Sequence, residues 1–332
     1  MEILFKVQGS TGIITLNRPK ALNALNLNMA VKFANKLKEW EENNKIKRVL
    51  LKGNGNHFCA GGDVKNVHLS GTFSELKREF FLKEYSLNLQ IKNFSKPYLS
   101  IWNGVVMGGG VGLSIYGDYR IANESTKFAM PETSIGFFPD VGGSYFLSKL
   151  DSNIGKYLGL TGEVIMCDDL LNFGLATHYC PENKIDDLIE NYILDGSITK
   201  YEKTTNTFFS NEKLDFINKN FSGDIYEIFN NIETENKENL LIDKLKSKCP
   251  MSLAITAILI KDSNNKTLKE CLELEYRLSQ KMTNRHDFAE GIEAVLIKKH
   301  HSPKWQPSSI KEINKYDLED LFNSPIDNEL VL

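Results

Sequence analysis

The fold is decided by the stretch YLSIWNGVVMGGGVGLSIYGDYRIAN, residues 98–123. Two apolar runs of strand length, YLSIW at 98–102 and YRIAN at 119–123, lie on either side of a glycine cluster at 108–112. This glycine cluster is placed to open a helix between the two runs. The stretch therefore predicts a strand, a helix and a second strand in succession, which is typical of α/β domains.

The same alternation extends towards both ends of the chain. Short strands are predicted at 2–7 and 12–16, a buried strand at 48–53, and helices at 27–43 and 73–94. Strands that alternate with helices predict an α/β core over residues 1–180. From residue 182 onward the pattern is almost wholly helical, so we expect a helical C-terminal region at 181–332 that begins as an appendage to the core.

Composition and charge exclude several classes of protein. The 332 residues are 41% hydrophobic and 25% charged, with a formal net charge of −3. This is ordinary globular composition, and a near-neutral chain has no general attraction for nucleic acid or for an anionic membrane. The five cysteines form no CxxC pair, which favours a reducing compartment over a disulfide framework or a zinc site. We expect no nucleic-acid partner, no membrane association and no bound metal.

Three segments combine glycines with functional groups: HFCAGGD (57–63), MGGGVGLS (107–114) and MPETSIGFFPDVGGS (130–144). Glycine lets a backbone approach a ligand closely and aim its N–H groups at it. Two such loops could form an oxyanion hole, although tight turns or close helix packing would also explain the glycines. The motifs GxxxxGK[ST], GxGxxG and GxSxG are missing from the sequence, which argues against a P-loop, a Rossmann or a serine-elbow enzyme.

Two carboxylates in the third segment are candidates for chemistry. Glu132 and Asp140 stand among Met, Pro, Ile, Phe and Val residues, where a carboxylate would be partly desolvated. Desolvation raises the pKa of a carboxyl group and suits it to proton transfer. The structural alternative, equally compatible with the spacing, is that Glu132 caps a helix after Pro131 and that Asp140 begins a turn before Gly142.

Several segments together resemble the enoyl-CoA hydratase/isomerase, or crotonase, superfamily. They are NRPKALNAL (17–25), FCAGGD (58–63), NGVVMGGGVGLS (103–114) and FAMPETSIGFFPDVGGSYFL (128–147). The last of these, together with LEYRLSQ (274–280), HDFAEGIEAVL (286–296) and SPKW (302–305), resembles the branch that hydrolyses 3-hydroxyisobutyryl-CoA in valine catabolism. The resemblance covers nearly the whole chain and is weak only at about 195–245.

The resemblance implies a crotonase fold, in which repeated ββα units form a spiral core and C-terminal helices cover an acyl-CoA site. It also implies that the thioester carbonyl binds between two backbone N–H groups, which match Gly62 and Gly109. The substrate-contacting glutamate matches Glu84 in KEYSLN, the catalytic glutamate matches Glu132, and the catalytic aspartate matches Asp140. No cofactor is implied, since CoA is part of the substrate.

One departure from the family pattern bears on the reaction. Hydratases have a second glutamate at the position of Gly112, so Glu132 is the sole match to their catalytic pair. Adding water to an enoyl group needs a base and an acid, whereas thioester hydrolysis needs an oxyanion hole and one activated oxygen nucleophile. The sequence therefore favours a thioester hydrolase. Glu132 would either attack the carbonyl to form a mixed anhydride or act as general base towards water.

Other functions stay open at this stage. The same fold could support a hydratase or isomerase that uses Asp140 as its second group, or a catalytically silent scaffold that binds CoA or RNA. The resemblance suggests a mitochondrial protein, yet the first residues lack the apolar core of a signal peptide and show no presequence; the other expectation is a cytoplasmic location. Association into a homo-oligomer also stays open.

Overall fold

The computed structural model describes residues 1–203, 207–235 and 239–332. The chain divides into two compact units that alternate along the sequence. Unit 1 comprises Met1–Asp63, Ser86–Ala129 and Val164–Phe208; unit 2 comprises Val64–Tyr85, Met130–Glu163 and Phe209–Leu332. The boundary predicted at residues 180 and 181 thus falls inside unit 1, which continues to Phe208.

Unit 1 contains the strands of the described residues. They are β1 (Ile3–Gln8), β2 (Thr11–Leu16), β3 (Arg48–Gly53), β4 (Tyr98–Trp102), β5 (Val105–Met107), β6 (Tyr119–Ala122), β7 (Lys127–Ala129), β8 (Ile165–Met166) and β9 (His178–Tyr179). One sheet has the order β1-β2-β3-β4-β6-β9, antiparallel between β1 and β2 and parallel elsewhere. A smaller sheet has the order β5-β7-β8. The predicted α/β class is confirmed.

The helices fall between and after these strands. They are α1 (Leu27–Glu42), α2 (Val64–Leu69), α3 (Glu75–Asn93), α4 (Gly109–Gly112), α5 (Gly143–Ser148), α6 (Ile154–Thr161), α7 (Cys167–Asn172), α8 (Ile185–Leu194), α9 (Asn211–Asn220), α10 (Ile225–Thr234), α11 (Asn239–Lys246), α12 (Pro250–Asp262), α13 (Leu268–Met282), α14 (His286–Ile292) and α15 (Lys315–Asn323). The predicted helix at 73–94 begins only at Glu75, because Phe73 has a left-handed φ of 53°. Among the described residues, none of these helices is long and apolar enough to cross a membrane.

The core of unit 1 lies between the larger sheet and helix α8. Every residue of β4 is buried, as is typical of a central strand covered on both faces. Ile13, Leu50 and Leu99 point into a common apolar cluster that Leu188 and Tyr192 of α8 complete. Burial of these side chains fixes the register of the strands, because a shift of one residue would turn each apolar side chain to the opposite face.

In unit 2 the described residues are helical or irregular, and local capping signals mark where several helices begin. Helix α12 has Pro250 in its first turn. Helix α13 begins after Thr267, whose side chain accepts a hydrogen bond from the Glu270 backbone, while the Glu270 side chain accepts one from the Thr267 backbone. This capping box sets the phase of α13, which brings Glu275 and Tyr276 to its buried face.

Candidate active site

The two glycine-rich loops of unit 1 lie side by side. Met107 N–H donates to the Cys59 carbonyl at 3.0 Å, which pairs the two segments. A Cβ atom added to Gly61 would lie 3.7 Å from the Gly109 nitrogen. The structure therefore brings the AGGD and GGG segments together, although they are far apart in the sequence.

The backbone N–H groups of Gly62 and Gly109 are available to a ligand. Neither donates a hydrogen bond to any described residue. Gly109 is the first residue of α4, where an N–H has no acceptor within the helix. Gly62 pairs with Leu25 through its neighbours only, since Leu25 N–H donates to the Gly61 carbonyl and Asp63 N–H to the Leu25 carbonyl. Such unused donors can stabilise a developing oxyanion.

Glycine is required beside this pair by space as well as by backbone angle. A Cβ atom at Gly110 would lie 2.5 Å from the Cys59 carbonyl oxygen, which is closer than atoms approach without displacement. Gly61 has a φ of 121°, a conformation that residues with side chains rarely adopt. The close-packing explanation considered for these glycines is therefore correct for Gly110, and it coexists with the free N–H groups of Gly62 and Gly109.

Unit 2 holds the predicted carboxylates, which the structure brings together. Glu84 lies on α3, Glu132 begins a 3₁₀ turn that ends at Ile135, and Asp140 precedes α5. Their side chains are 1%, 7% and 6% exposed. Charged side chains are rarely buried, because a carboxylate ionises poorly out of water. Three buried carboxyl groups in one cluster are therefore unusual.

Burial raises the pKa of all three carboxyls, and repulsion between them raises the pKa of Glu84 and Glu132 further. For Glu84, desolvation raises the pKa first, and the charges of Asp140 and Glu132 raise it further. Desolvation and the charge of Asp140 likewise raise the pKa of Glu132. Desolvation raises the pKa of Asp140 to about 7. The cluster is therefore suited to hold and transfer protons near neutral pH.

Two oxygens in this cluster have no hydrogen-bond partner in the part of the chain that the structure describes. Glu84 Oε1 and Glu132 Oε2 are buried without a hydrogen bond to any described residue. Buried polar atoms are nearly always hydrogen-bonded, so unsatisfied ones call for an explanation. One explanation is that a bound substrate or water donates hydrogen bonds to these two oxygens.

Tyr85 and Glu275 belong to the site and were missed by sequence reasoning. The Tyr85 hydroxyl donates to Asp140 Oδ2 at 2.8 Å. Glu275, which is 0% exposed, accepts hydrogen bonds from the loop that follows Asp140. Tyr85 stands next to Glu84 and Glu275 lies within the LEYRLSQ segment, but residue type and spacing alone gave neither a role.

The structural alternative for Asp140 is correct at the level of the backbone. Its carbonyl accepts from Gly143 N–H at 2.7 Å and so closes a turn, while its side chain bonds to Tyr85. The described residues contain no group of three or more His, Cys, Asp or Glu side chains placed to hold a metal ion. His57 makes a structural contact, since its Nδ1 accepts from Val105 N–H at 3.3 Å.

Known proteins resemble the chain over nearly its whole length. The family model described as enoyl-CoA hydratase/isomerase matches residues 11–322. A Xenopus laevis protein named 3-hydroxyisobutyryl-CoA hydrolase, mitochondrial, is 42% identical over 335 residues, which cover 95% of this chain and 87% of the relative. The Homo sapiens protein of the same name is 40% identical over 347 residues, covering 97% and 89%.

A solved structure resembles the chain over nearly its whole length as well. The crystal structure of a carnitinyl-CoA dehydratase from Mycobacterium thermoresistibile superposes with a TM-score of 0.93 at 34% identity, covering 99% of this chain and 98% of that one. The crotonase fold implied by the sequence resemblance is thereby confirmed. With the family model and both relatives matching most of its length, the chain belongs to the enoyl-CoA hydratase/isomerase family.

Proposed function

We propose that the protein hydrolyses the thioester of 3-hydroxyisobutyryl-CoA, and of its close analogue 3-hydroxypropionyl-CoA, to the free hydroxy acid and CoA in valine catabolism. The observation that carries the proposal is the likeness, over 95% and 97% of this chain, to relatives whose name states the first activity. The buried Glu132 and the unused N–H groups of Gly62 and Gly109 are the groups that this reaction needs.

In the proposed reaction, the amides of Gly62 and Gly109 donate to the thioester oxygen as negative charge develops on it. Glu132 either attacks the carbonyl carbon or takes a proton from a water that attacks it. The carbon–sulfur bond breaks, and the sulfur leaves as the CoA thiolate, which takes up a proton. If a mixed anhydride forms, water then hydrolyses it to the hydroxy acid and restores Glu132.

Glu84 and Asp140 are proposed to bind the acyl group. Asp140 is the preferred partner of the substrate's 3-hydroxyl, because its carboxyl is buried and already accepts a hydrogen bond from Tyr85 through Oδ2. The unsatisfied Glu84 Oε1 is a second acceptor of the same kind. A substrate hydroxyl that donates to Glu84 Oε1 would supply a hydrogen bond that none of the described residues supplies.

A hydratase or dehydratase is the second candidate, favoured by the close superposition on a carnitinyl-CoA dehydratase. Against it stands Gly112, a buried helical glycine where hydratases of the resemblance have their second glutamate. Asp140 would then have to supply the second acid–base group. Thioester hydrolysis needs no such replacement.

Three further expectations accompany the proposal. A mitochondrial location is supported by the names of both relatives. The reaction as written requires no cofactor and no metal, because CoA enters with the substrate and water is the co-reactant. The acyl-CoA substrate is the proposed partner, while association into a homo-oligomer stays open.

The experiment that tests the proposal is the release of free thiol from a panel of purified acyl-CoA thioesters. The panel contains 3-hydroxyisobutyryl-CoA, 3-hydroxypropionyl-CoA, isobutyryl-CoA and acetyl-CoA. Rapid release from the two 3-hydroxyacyl thioesters, with slow release from the others, is expected. A flat profile across the panel would argue against a site built for the hydroxyl group.

A further inference from the structure

The turn that carries Asp140 has an unfavourable backbone. Val141 has a φ of 54° and is buried, and the next residue, Gly142, has a φ of 80°. A β-branched residue in the left-handed region is a genuine outlier, which persists only where the surrounding structure holds it. The position of Asp140 therefore depends on contacts from outside the turn.

Glu275 of helix α13 supplies three such contacts. Its Oε2 accepts from Gly142 N–H at 2.6 Å. Its Oε1 accepts from Ser144 N–H at 3.0 Å and from the Ser144 hydroxyl at 2.5 Å. Gly142 is the N-cap residue of α5 and has no side chain to cap it, so a carboxylate from 133 residues away does so instead.

The neighbour of Glu275 supports Asp140 by a second path. The ring of Tyr276 packs edge-on against the ring of Tyr85, with centroids 6.5 Å apart. Tyr85 in turn donates to Asp140 Oδ2 at 2.8 Å. Successive residues of α13 thus restrain the backbone of the turn directly and the carboxyl of Asp140 through a tyrosine.

We propose that Glu275 is a positioning residue for the hydrolysis: it holds the strained Val141–Gly142 backbone so that Asp140 is aimed at the acyl group. The inference rests on the proposed function in one respect, namely that Asp140 takes part in thioester hydrolysis. Glu275 itself is not proposed to touch the substrate.

Several titratable groups surround Asp140 and bear on its protonation state. Asp140 is faced by Glu84 and Tyr85 from α3, by Glu132 from the 3₁₀ turn and by Glu275 from α13, and Glu275 is faced also by Cys271 on its own helix. Burial raises the pKa of Glu275 to about 8, against the effect of its three donors. The charge of Asp140 is one cause of the raised pKa of Glu275, so Glu275 is still mostly protonated at the pH where Asp140 ionises.

Two substitutions should therefore affect the titration of Asp140 through geometry. Glu275→Gln frees the turn, so Asp140 is expected to draw away from the Tyr85 hydroxyl, which favours its ionised form, and the pKa of Asp140 is expected to rise. Tyr85→Phe removes that donor outright and sets the size of the rise to expect. If Glu275 had no effect on the position of Asp140, Glu275→Gln would leave that pKa unchanged.

The test measures the Asp140 titration and the kinetics in parallel. Difference infrared spectra identify the carboxyl band that Asp140→Asn removes. The pH at which this band is half lost, the titration midpoint of Asp140, is then measured in each variant. Glu275→Gln is expected to lower kcat about 10- to 100-fold with KM within a few-fold, because the reacting group is misplaced while CoA contacts remain. Glu273→Gln, the same change at a partly exposed position of α13, is the matched control and should change neither quantity.

A shorter side chain tests the geometry directly. Glu275→Asp keeps the carboxyl group but draws it back from the Gly142 and Ser144 donors, so kcat should fall and the pKa of Asp140 should rise, as in Glu275→Gln. If Glu275→Gln does not fold, Ser144→Ala removes one donor and should lower kcat several-fold. A Glu275→Gln variant that matches Glu273→Gln in kcat and in the Asp140 titration overturns the inference, as does an unchanged kcat in Ser144→Ala.

The outcomes also separate this inference from the proposed function. If the unaltered protein releases no thiol but the Asp140 titration still moves as expected in Glu275→Gln, the hydrolase proposal fails and the positioning of Asp140 by Glu275 stands. If the unaltered protein is an active hydrolase and the titration does not move, the positioning inference fails alone.

Discussion

The Tyr85 hydroxyl donates to Asp140 Oδ2 at 2.8 Å, and both groups are buried. A phenol is a strong donor that lies next to a carboxyl whose pKa is raised to about 7. The bond favours the ionised form of Asp140 against the desolvation that opposes it. Asp140 is thereby poised to change its protonation state near neutral pH, which a solvated aspartate would not do.

The protonation of Asp140 predicts how stability depends on pH. Between pH 3.8 and about 7 the folded protein holds a proton on this carboxyl that the unfolded chain releases, so this contribution to stability is lost as pH rises through that window. Asp140→Asn is neutral at every pH. We expect it to raise Tm by several degrees more at pH 8 than at pH 4, with exposed Asp327→Asn as the control. An equal effect at both pH values would contradict the raised pKa.

Glu132→Gln should nearly abolish turnover while leaving the binding of CoA close to unchanged. The amide has the shape of the acid but neither attacks a carbonyl nor accepts a proton from water. Loss of an acid–base group costs about 10² to 10⁴ in rate, and loss of a nucleophile costs more. Steady-state kinetics with calorimetric titration of CoA measure both quantities. A variant within a few-fold of the parental rate would make Glu132 a structural residue.

Gly109→Pro should remove one donor to the thioester oxygen. Loss of such a donor costs about 3 to 4 kcal/mol of transition-state stabilisation, a fall of two to three orders of magnitude in kcat. Because proline also restricts the backbone, a thermal melt must first show that the variant folds. Gly62→Pro serves as the parallel test. Parental kcat in a folded Gly109→Pro protein would exclude this N–H from the reaction.

The acyl group should be selected through its 3-hydroxyl. A site whose buried polar groups pair with a substrate hydroxyl rejects the analogue without it by a factor of up to about 10⁴. We therefore expect kcat/KM for 3-hydroxyisobutyryl-CoA to exceed that for isobutyryl-CoA by a large factor, and Asp140→Asn to shrink that factor. Equal values for the two substrates would remove the proposed hydroxyl-binding role of Asp140.

An acyl group with its own carboxylate should be a poor substrate. Glu84, Glu132 and Asp140 repel one another strongly enough to raise the pKa values of Glu84 and Glu132. A further negative charge among them would be repelled in the same way. Succinyl-CoA is therefore expected to be hydrolysed far more slowly than 3-hydroxypropionyl-CoA, and more so at pH 8 than at pH 6. Comparable rates at both pH values would show that the acyl group lies away from the carboxylates.

The strands that carry long apolar runs were predictable from the sequence, and the short ones were not. RVLLKG and YLSIW became β3 and β4 at the predicted residues, because each has a mainly apolar centre that the structure buries. The smaller sheet is built from strands of two or three residues. Such segments are too short to show a period, and their pairing depends on partners that are distant in the sequence.

Some residues of the candidate site were predictable from the sequence, and others were not. Glu132 and Asp140 could be singled out because their sequence neighbours are apolar, and Gly62 and Gly109 because they stand in glycine runs. Tyr85 and Glu275 could not, since each is defined by a partner in another segment. A buried carboxylate that caps a helix 133 residues away leaves no signal in local spacing.

The most direct test of the central claim compares two reactions of the unaltered protein under one set of conditions. Free thiol released from 3-hydroxyisobutyryl-CoA is measured beside loss of the enoyl absorbance of a short enoyl-CoA. The account predicts rapid thiol release, absent in Glu132→Gln, and little or no hydration. Rapid hydration of the enoyl-CoA without thiol release would contradict it and identify a hydratase in which Asp140 replaces the missing second glutamate.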